Sequence, residues 1–350
     1  MDVYAHVFRA SEALGRVRDD LRGVLGLRRP ATMLPHIGYA HRGLAVVRAR
    51  VVEDRGLELG HKPIDRVLSA YRRYATREIR NAAVELSWHG HDGAVVHHTD
   101  REGHLDHWIE MPESVQPGWT AVKARLLDVP DSAIDLPVLV CDPEASFGVI
   151  SDIDDTVIET GATNPLTRAR ALFWSSVEHR APFEGVANLY RALAYASGGR
   201  AENPIFYLSS SPWNLHAHLV ELFALNDIPR GPLLLRDWGL RPDGFAPDGK
   251  HQHKVDKARA VLDELAPLPF VLMGDTGQED ATHYATLVEE FADRIAAVYL
   301  RSVARRHAGV DTAVERIASA GVPVLLADDS AAMAEHAASI GLIPGDALAV

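Results

Sequence analysis

From residue 146 onward, short apolar runs alternate with longer stretches in which apolar side chains recur every three or four positions. The runs predict strands, and the periodic stretches predict amphipathic helices. Because strands that alternate with helices form a parallel sheet covered on both faces, the pattern predicts a doubly wound α/β domain over residues 146–350. Its predicted strands are Phe147–Ser151, Ile205–Leu208, Leu233–Arg236, Phe270–Met273, Ile295–Tyr299 and Val322–Leu326.

Residues 36–142 have a different texture, in which polar and apolar positions alternate in short segments between turn residues. This pattern predicts half-buried strands in a small antiparallel β-sandwich domain. The prolines of residues 137–143 predict a joint between this domain and the next. The predicted strands are Ala45–Val51, Ala83–Trp88, Ala94–Thr99, Leu105–Ile109 and Thr120–Leu126.

Residues 1–35 predict an N-terminal amphipathic helix, which the prolines at positions 30 and 35 bring to an end. One face is apolar from Val7 to Val24, and the other face carries four arginines. Such a helix either lies on an anionic membrane surface or packs on its own protein or on a second subunit. The sequence leaves both interpretations open.

The composition, 47% apolar and 24% charged, is that of a globular protein. No apolar run approaches the roughly 20 residues needed to span a bilayer, and the N-terminus lacks a signal-peptide layout, so a cytoplasmic protein is expected. The single cysteine, Cys141, excludes an internal disulfide and a cysteine-based zinc site. The net charge of −12 argues against nucleic-acid binding through overall charge.

The candidate chemistry lies where the predicted strands end. Asp152 and Asp154 follow the first apolar run and are two residues apart, so both side chains leave an extended chain on the same side. Two crowded carboxylates repel each other unless a proton or a metal ion compensates them. The stretch therefore predicts a divalent cation and leaves one carboxylate to attack a substrate or to move a proton. A calcium-binding loop would satisfy the same residues.

Other polar residues follow later strands. Ser209 stands at the end of the second strand of this domain and Asp275 just after the fourth, with Asp280 five residues further on. Lys254 opens the predicted helix between them. Because the carboxyl ends of parallel strands meet at one edge of a sheet, these groups are expected to converge with Asp152.

Several of these residues also have a purely structural interpretation. Ser211 followed by Pro212 is a good helix N-cap, and Asp280 fits as the cap of the next helix. Lys254 fits a solvated surface charge, although a cation at a helix N-terminus opposes the macrodipole and therefore favours an anionic partner.

The predicted sandwich is rich in histidine. His89 and His91 would share one face of a strand, which suits a metal site. Alternating polar residues on half-buried strands are also the ordinary pattern of a solvated face, so both interpretations stand. The histidines in question are His89, His91, His97, His98, His104 and His107.

The strand-end residues, in their order along the chain, resemble the four motifs of the haloacid-dehalogenase (HAD) superfamily of aspartate-nucleophile phosphatases. More narrowly, the runs IFYLSSSPWNL and VLMGDTGQEDATHY resemble the actin-patch phosphatidate phosphatase family, whose catalytic domain is related to the lipins. The resemblance covers about residues 146–301, with weaker similarity through the sandwich. The motif residues are Asp152, Asp154 and Thr156 (DxDxT), then Ser209, Lys254, and Asp275 with Asp280.

The resemblance implies a two-step hydrolysis of a phosphomonoester. Asp152 would attack phosphorus to give an aspartyl-phosphate, and Asp154 would protonate the leaving oxygen and then activate water. Mg²⁺ would be held by Asp152, the backbone carbonyl of Asp154 and Asp275, with Asp280 ligating through water or supporting the ligands.

The resemblance also implies which residues bind the phosphate group. Thr156, Ser209 and Lys254 would contact the phosphoryl oxygens and offset their charge. Lys257, one turn further along the same helix, is the alternative lysine. Asp155 is left without a role.

The lengths of two connecting segments indicate what kind of substrate the site would accept. Residues 158–182 and 237–253 are too few for the cap domain that many HAD phosphatases close over small substrates. An uncapped site favours a large or surface-borne ester, such as phosphatidate or a related lipid phosphate, and peripheral contact with a membrane. Leu172, Phe173 and Trp174 either touch acyl chains or pack against the sheet. The alternatives are a phosphatase of phosphoproteins or soluble phosphomonoesters, and an inert adaptor that binds a protein partner through the sandwich.

Overall fold

The computed structural model describes residues 31–53, 78–159, 182–196, 202–236, 250–304 and 306–345. Residues 1–30 of the predicted N-terminal helix lie outside these ranges, as do Leu172–Trp174 and most of residues 158–182 and 237–253. Residues 31–35, which were predicted to end the helix, instead lie in a strand. None of the described helices is both long enough and apolar enough to cross a bilayer.

The N-terminal part forms one seven-stranded sheet with the order β4-β3-β6-β7-β1-β2-β5. Alternate residues of six of its strands share a single core. Trp88 Nε1 donates to the carbonyl of Glu110 at 2.8 Å, which joins β3 to β5 although the two are not neighbours in the sheet. The sheet therefore folds over its own core, with β5-β2-β1 facing β7-β6-β3-β4. The strands are β1 (Ala31–His41), β2 (Leu44–Glu53), β3 (Ala83–Trp88), β4 (Val95–His98), β5 (His104–Glu110), β6 (Gly118–Leu126) and β7 (Ile134–Val140).

The prediction of a purely antiparallel domain is wrong in one respect. Gly38–Ala40 of β1 pair in parallel with Val138–Val140 of β7, and this short ladder connects the two halves of the sheet. β7 also takes up much of the segment predicted as an interdomain joint, and β1 begins at residue 31, before the predicted domain start at residue 36. Both strands escaped the sequence analysis because each contains a proline.

Pro35 and Pro137 are tolerated because of where they stand. Each lies just before the parallel ladder that joins β1 to β7, in a part of its strand that is paired on one side only. A proline on the unpaired side of a strand removes no ladder hydrogen bond. The two strands therefore form despite a residue that argues against a central strand.

The C-terminal part forms a six-stranded sheet, in which every neighbouring pair is parallel and the order is β10-β9-β8-β11-β12-β13. The six predicted strands are confirmed; Leu233–Arg236 has the predicted bounds, and the other five differ at one or both ends. They are β8 (Gly148–Asp152), β9 (Ile205–Pro212), β10 (Leu233–Arg236), β11 (Phe270–Asp275), β12 (Ile295–Arg301) and β13 (Val324–Ala327).

Described helices cover both faces of this sheet, as the alternation of strands and helices predicts. The apolar stripes of α1, α2 and α6 pack on one face, and those of α3, α4 and α5 pack on the other. Every residue of β8 and β11 is buried, which explains their continuous apolar runs. The helices are α1 (Val186–Ala194), α2 (His216–Leu225), α3 (Lys250–Glu264), α4 (Asp280–Phe291), α5 (Val310–Ser319) and α6 (Ser330–Ser339).

Aromatic side chains join the two sheets. The rings of His36 and Trp213 stack with centroids 4.7 Å apart, and Tyr39 meets Phe206 edge-on at 5.1 Å. The hydroxyl of Tyr39 also donates to Glu264 of α3. The outer face of β1 is therefore buried against the parallel sheet, beside the segment that carries Ser209.

Candidate active site

The parallel sheet reverses its strand order at β8. From there the chain adds β9 and β10 on one side and β11 to β13 on the other. At such a reversal the carboxyl ends of the two diverging strands border a crevice. Asp152 is the last residue of β8 and Asp275 the last residue of β11, and both are buried. The structure therefore brings these two carboxylates together.

Lys254 bridges two of the buried carboxylates. Its Nζ donates to Asp152 Oδ1 at 2.7 Å and to Asp280 Oδ1 at 2.8 Å, and all three side chains are almost completely buried. The prediction that Lys254 opens its helix is wrong, because α3 begins at Lys250 and Lys254 lies in the second turn. The polar first turn carries no apolar periodicity. The carboxylates, rather than the helix dipole, account for this lysine.

The structure also shows the position of Asp280 at its helix and which of two lysines lies at the carboxylates. Asp280 is the first residue of α4 and not its N-cap, which is Glu279; Asp280 Oδ2 accepts a hydrogen bond from the backbone nitrogen of Asp275 at 3.4 Å. The ammonium of Lys257 donates to a backbone carbonyl of β10 and lies 5.6 Å from the ring of Trp213. Lys254, and not Lys257, is the lysine at the carboxylates.

Asp154 faces the serines at the end of β9. Ser209 Oγ donates to Asp154 Oδ2 at 3.0 Å, and Ser211 Oγ lies 3.4 Å from the same oxygen. The prediction of Ser211 as an N-cap is wrong, because a register shift against β10 lets β9 continue to Pro212. Both serines therefore belong to the same cluster of polar groups as Asp154.

A tight turn after β8 presents Thr156. Asp155 has φ 62°, a left-handed conformation that aspartate tolerates, and its N–H donates to the carbonyl of Ile158 at 2.8 Å. The Thr156 hydroxyl is buried and has no hydrogen-bond partner among the described residues. Arg301 Nε holds the turn by donating to the carbonyl of Thr156 at 3.1 Å. Asp155 thus shapes the turn, and the Thr156 hydroxyl has a donor to offer a ligand.

Gln278 reaches the centre of the cluster. Its side-chain Nε2 lies 2.8 Å from Asp275 Oδ2, 3.0 Å from the backbone carbonyl of Asp154 and 3.4 Å from Asp152 Oδ2. These are oxygens of the three residues from which the sequence analysis expects Mg²⁺ ligands. Its backbone nitrogen donates to the other oxygen of Asp275 at 2.9 Å.

The carboxylates are the candidate metal ligands of the described chain. Asp152, Asp275 and Asp280 each offer an oxygen, and these oxygens lie within 4.8 Å of one another. No group of histidines in the described ranges meets the same criterion. His89 instead pairs with Asp135 at 2.7 Å, an ordinary surface contact.

Burial dominates the electrostatics of the site. It raises the pKa of Asp152 well above the usual range, Asp280 adds to the rise, and Lys254 opposes it. Burial and Asp280 likewise raise the pKa of Asp275 to about 8. For Asp280, burial alone would raise the pKa, but Lys254 lowers it below the usual range. The single ammonium of Lys254 does not neutralise the three carboxyl groups of the cluster, so a divalent cation would be favourable there.

Close packing fixes the positions of Asp275 and Asp280. A Cβ added at Gly274 would lie 2.8 Å from Asp280 Cβ and 2.8 Å from a ring carbon of Tyr284. The absence of a side chain at Gly274 therefore lets the start of α4 approach the end of β11. Close packing against α4 therefore explains why a glycine precedes Asp275.

Two residues of the site were missed by the sequence analysis. Arg301 ends the apolar strand β12, so the strand-end rule that singled out Asp275 would also have found it. Gln278 gave no such signal, since an amide in a turn rich in polar residues is ordinary. Its position depends on the turn after β11, which the sequence pattern does not define.

Residues 147–302 match the family described as phosphatidate phosphatase APP1, catalytic domain. Because of this similarity, residues 147–302 are referred to below as the APP1-type domain. The match spans β8 to β12 and thus includes every residue of the site described above. The APP1-type domain therefore coincides with the part of the parallel sheet that carries the carboxylates.

Two curated fungal proteins are similar in sequence to part of this chain. Over 158 residues the chain is 28% identical to phosphatidate phosphatase APP1 of Saccharomyces cerevisiae, which covers 44% of this chain and 26% of that protein. Over 178 residues it is 25% identical to an uncharacterized protein of Schizosaccharomyces pombe, which covers 50% of this chain and 28% of that protein. The matches thus span little more than a quarter of either fungal protein.

Two solved structures are weakly similar to this chain. A chain of the Pnkp1/Rnl/Hen1 complex matches with a TM-score of 0.31 at 15% identity, over 51% of this chain and 56% of that chain. A carbohydrate acetylesterase from Xanthomonas citri matches with a TM-score of 0.30 at 10% identity, over 82% and 73%. At these TM-scores neither likeness bears on the APP1-type domain.

Proposed function

We propose that the chain is a Mg²⁺-dependent phosphatase that hydrolyses phosphatidate or a related lipid phosphate through an aspartyl-phosphate intermediate. The observation that carries the chemistry is the meeting of Asp152, Asp154 and Lys254 at the end of β8, beside Asp275. The APP1-type domain over residues 147–302 supports the phosphoric monoester hydrolase class and the lipid substrate.

Asp152 is the proposed nucleophile. One of its carboxylate oxygens bonds to phosphorus while the bond from phosphorus to the alcohol oxygen breaks. Lys254 contacts Asp152 Oδ1 and so keeps this carboxylate oriented and partly neutralised. The phosphoryl oxygens take hydrogen bonds from Lys254 and from the hydroxyls of Ser209 and Thr156, which offsets charge that would repel the nucleophile.

Asp154 is the proposed proton carrier. In the first step it gives a proton to the departing alcohol oxygen; in the second it takes a proton from the water that attacks phosphorus and releases Asp152. In the substrate-free site the Ser209 hydroxyl donates its one hydrogen to Asp154 Oδ2 at 3.0 Å, and when substrate binds this hydrogen turns to a phosphoryl oxygen. The products are the alcohol and inorganic phosphate.

The residues present fit a divalent cation, because carboxylate and carbonyl oxygens are the ligands that Mg²⁺ takes in proteins. Asp152, the carbonyl of Asp154 and Asp275 would hold it. Asp280 already pairs with Lys254 through Oδ1, so it supports the ligands or reaches the ion through water. When bound, the cation supplies positive charge to the phosphoryl oxygens and to the crowded carboxylates.

The proposal extends to the fold and the setting of the enzyme. We assign the parallel sheet to the HAD type, because a DxDxT aspartate ends the first strand of a sheet whose strand order reverses there. The division into a β-sandwich domain over residues 36–142, extended at its start by β1, and a phosphatase domain from residue 146 belongs to the same proposal. A lipid substrate requires the enzyme to meet a membrane surface peripherally.

The test is release of inorganic phosphate from phosphatidate in mixed detergent micelles by the full chain, with Mg²⁺ and with a chelator. A soluble aryl phosphate and a phosphopeptide serve as parallel substrates. We expect Mg²⁺-dependent release from phosphatidate. Release from the soluble esters alone would overturn the lipid assignment, and no release from any ester would overturn the enzyme and favour an adaptor.

The nucleophile is tested by Asp152→Asn, which keeps the volume of the side chain and removes its charge. We expect hydrolysis to fall below detection with the fold intact by circular dichroism. Asp155→Asn is the matched control, since asparagine also tolerates the left-handed conformation of this turn residue, and it should retain activity. Full activity in Asp152→Asn would refute the nucleophile assignment.

A further inference from the structure

Gln278 occupies the point on which the proposed cation ligands converge. Its Nε2 lies within 2.8 to 3.4 Å of oxygens from Asp275, Asp154 and Asp152. A carboxamide nitrogen carries two hydrogens and no acceptor, so it is a donor that suits a ring of oxygens. We propose that this amide and the divalent cation compete for one position, and that Gln278 thereby weakens cation binding and stabilises the cation-free site. The inference rests on the cation of the proposed function.

Competition follows from the distances. Mg²⁺ binds its oxygens at about 2.0–2.1 Å, so a cation held by the same three oxygens on the side where Nε2 lies would overlap this nitrogen. An amide nitrogen and a cation repel each other and cannot both lie within reach of these oxygens. The side chain of Gln278 must therefore withdraw before the cation can bind.

The turn allows this withdrawal without unfolding. The backbone nitrogen of Gln278 donates to Asp275 Oδ1, whereas the side chain contacts Asp275 Oδ2. The backbone anchor and the cation ligand are therefore different oxygens of one carboxylate. Rotation of the side chain vacates the position while the turn stays attached to β11.

The amide also has a role before the cation arrives. Without a donor between them, oxygens of Asp152, Asp154 and Asp275 would face one another in a buried site, and such an arrangement is unfavourable. Gln278 relieves that repulsion. Removing the amide donor of Gln278 should therefore destabilise the cation-free protein and leave the cation-bound protein nearly unaffected. As a result, the variant should bind the cation more tightly than the wild type.

The experiment measures Mn²⁺ binding to the full chain by titration calorimetry and electron paramagnetic resonance, so it needs no turnover. The variants are Gln278→Ala and, as a near-isosteric change without a donor, Gln278→Met. We expect both to lower the dissociation constant for Mn²⁺ about tenfold, which is the effect of losing one charge-assisted hydrogen bond from the competing state. Gln116→Ala, a change at a surface glutamine that donates to the carbonyl of Ser114, should leave the constant unchanged.

The outcomes separate this inference from the function on which it rests. Tighter Mn²⁺ binding in both variants, with a lower melting temperature in chelator, supports competition. If the wild type binds Mn²⁺ and the Gln278 variants bind it equally or more weakly, the amide is a spectator or a cation ligand and the inference alone fails. If the wild type takes up no Mn²⁺, the cation of the proposed function fails with it.

Discussion

Replacing Lys254 with methionine should cost stability in a way that depends on pH. The change keeps most of the side-chain volume and removes the ammonium that pairs with Asp152 and Asp280. Removing one partner of a buried ion pair typically costs about 3–5 kcal/mol, because a buried charge is left uncompensated. In the wild type, Lys254 lowers the pKa of Asp280 below its usual value, so this pair is charged at pH 5 as well as at pH 7.

A second argument sets a ceiling on the loss. The stranded carboxylate can always bind a proton, and at pH 7 this costs about 4 kcal/mol relative to an unfolded aspartate of pKa about 3.9. At pH 5 the same protonation costs only about 1.5 kcal/mol. The destabilisation caused by Lys254→Met should therefore shrink by about 2.5 kcal/mol between pH 7 and pH 5, because the carboxylate becomes easier to neutralise.

Urea unfolding of wild type and variant at both pH values, in chelator, measures this difference. Lys123→Met is the matched control; Lys123 is exposed on β6, so its change should stay within about 0.5 kcal/mol at either pH. A deficit as large at pH 5 as at pH 7 would refute the reasoning. So would a deficit below about 1 kcal/mol at pH 7, because it would mean that the ammonium compensates no buried charge.

Two further predictions concern packing and titration. Gly274→Ala should lower the free energy of unfolding by about 1–3 kcal/mol and displace Asp280, since its Cβ would overlap the start of α4; Gly345→Ala, at an open position, should be neutral by the same urea assay. Burial lowers the pKa of His216 to about 3, so this histidine stays neutral in the fold while an unfolded histidine gains a proton below about pH 6.5. The contribution of the neutral His216 to the free energy of unfolding is complete above that pH and is lost on acidification. Between pH 7.5 and pH 5, the free energy of unfolding should therefore fall by about 2 kcal/mol less in His216→Leu than in the wild type. An equal fall in both proteins would contradict this.

The strand-end rule explains why much of the site was predictable. A carboxylate or hydroxyl directly after an apolar run has few reasons to stand there except at the edge of a parallel sheet, and Asp152, Ser209 and Asp275 were found in this way. Arg301 ends β12 in the same manner, so the same rule extends to this residue. The position of Lys254 within its helix was misjudged because the first turn of α3 has no apolar periodicity.

What the sequence could not predict depends on contacts between distant segments. Ser211 looked like a helix cap because Pro212 follows it, and only the pairing with β10 reveals that the strand continues. The strands β1 and β7 were missed because Pro35 and Pro137 are acceptable only where a strand lacks a neighbour on one side. In each case a local signal was overruled by pairing partners far along the chain.

The reversal of strand order at β8 also determines when the site can exist. Asp152 and Lys254 are 102 residues apart in the chain, and β8 acquires its neighbour β11 only after the intervening segments have been made. At usual rates of synthesis of about 5–20 residues per second, Asp152 is made on the order of 5–20 s before its ammonium partner. Contacts of such long range also form late in folding. A nascent or truncated chain that ends before β11 therefore carries the DxDxT sequence without the assembled cluster of carboxylates, so the proposed activity requires that β11 has been made.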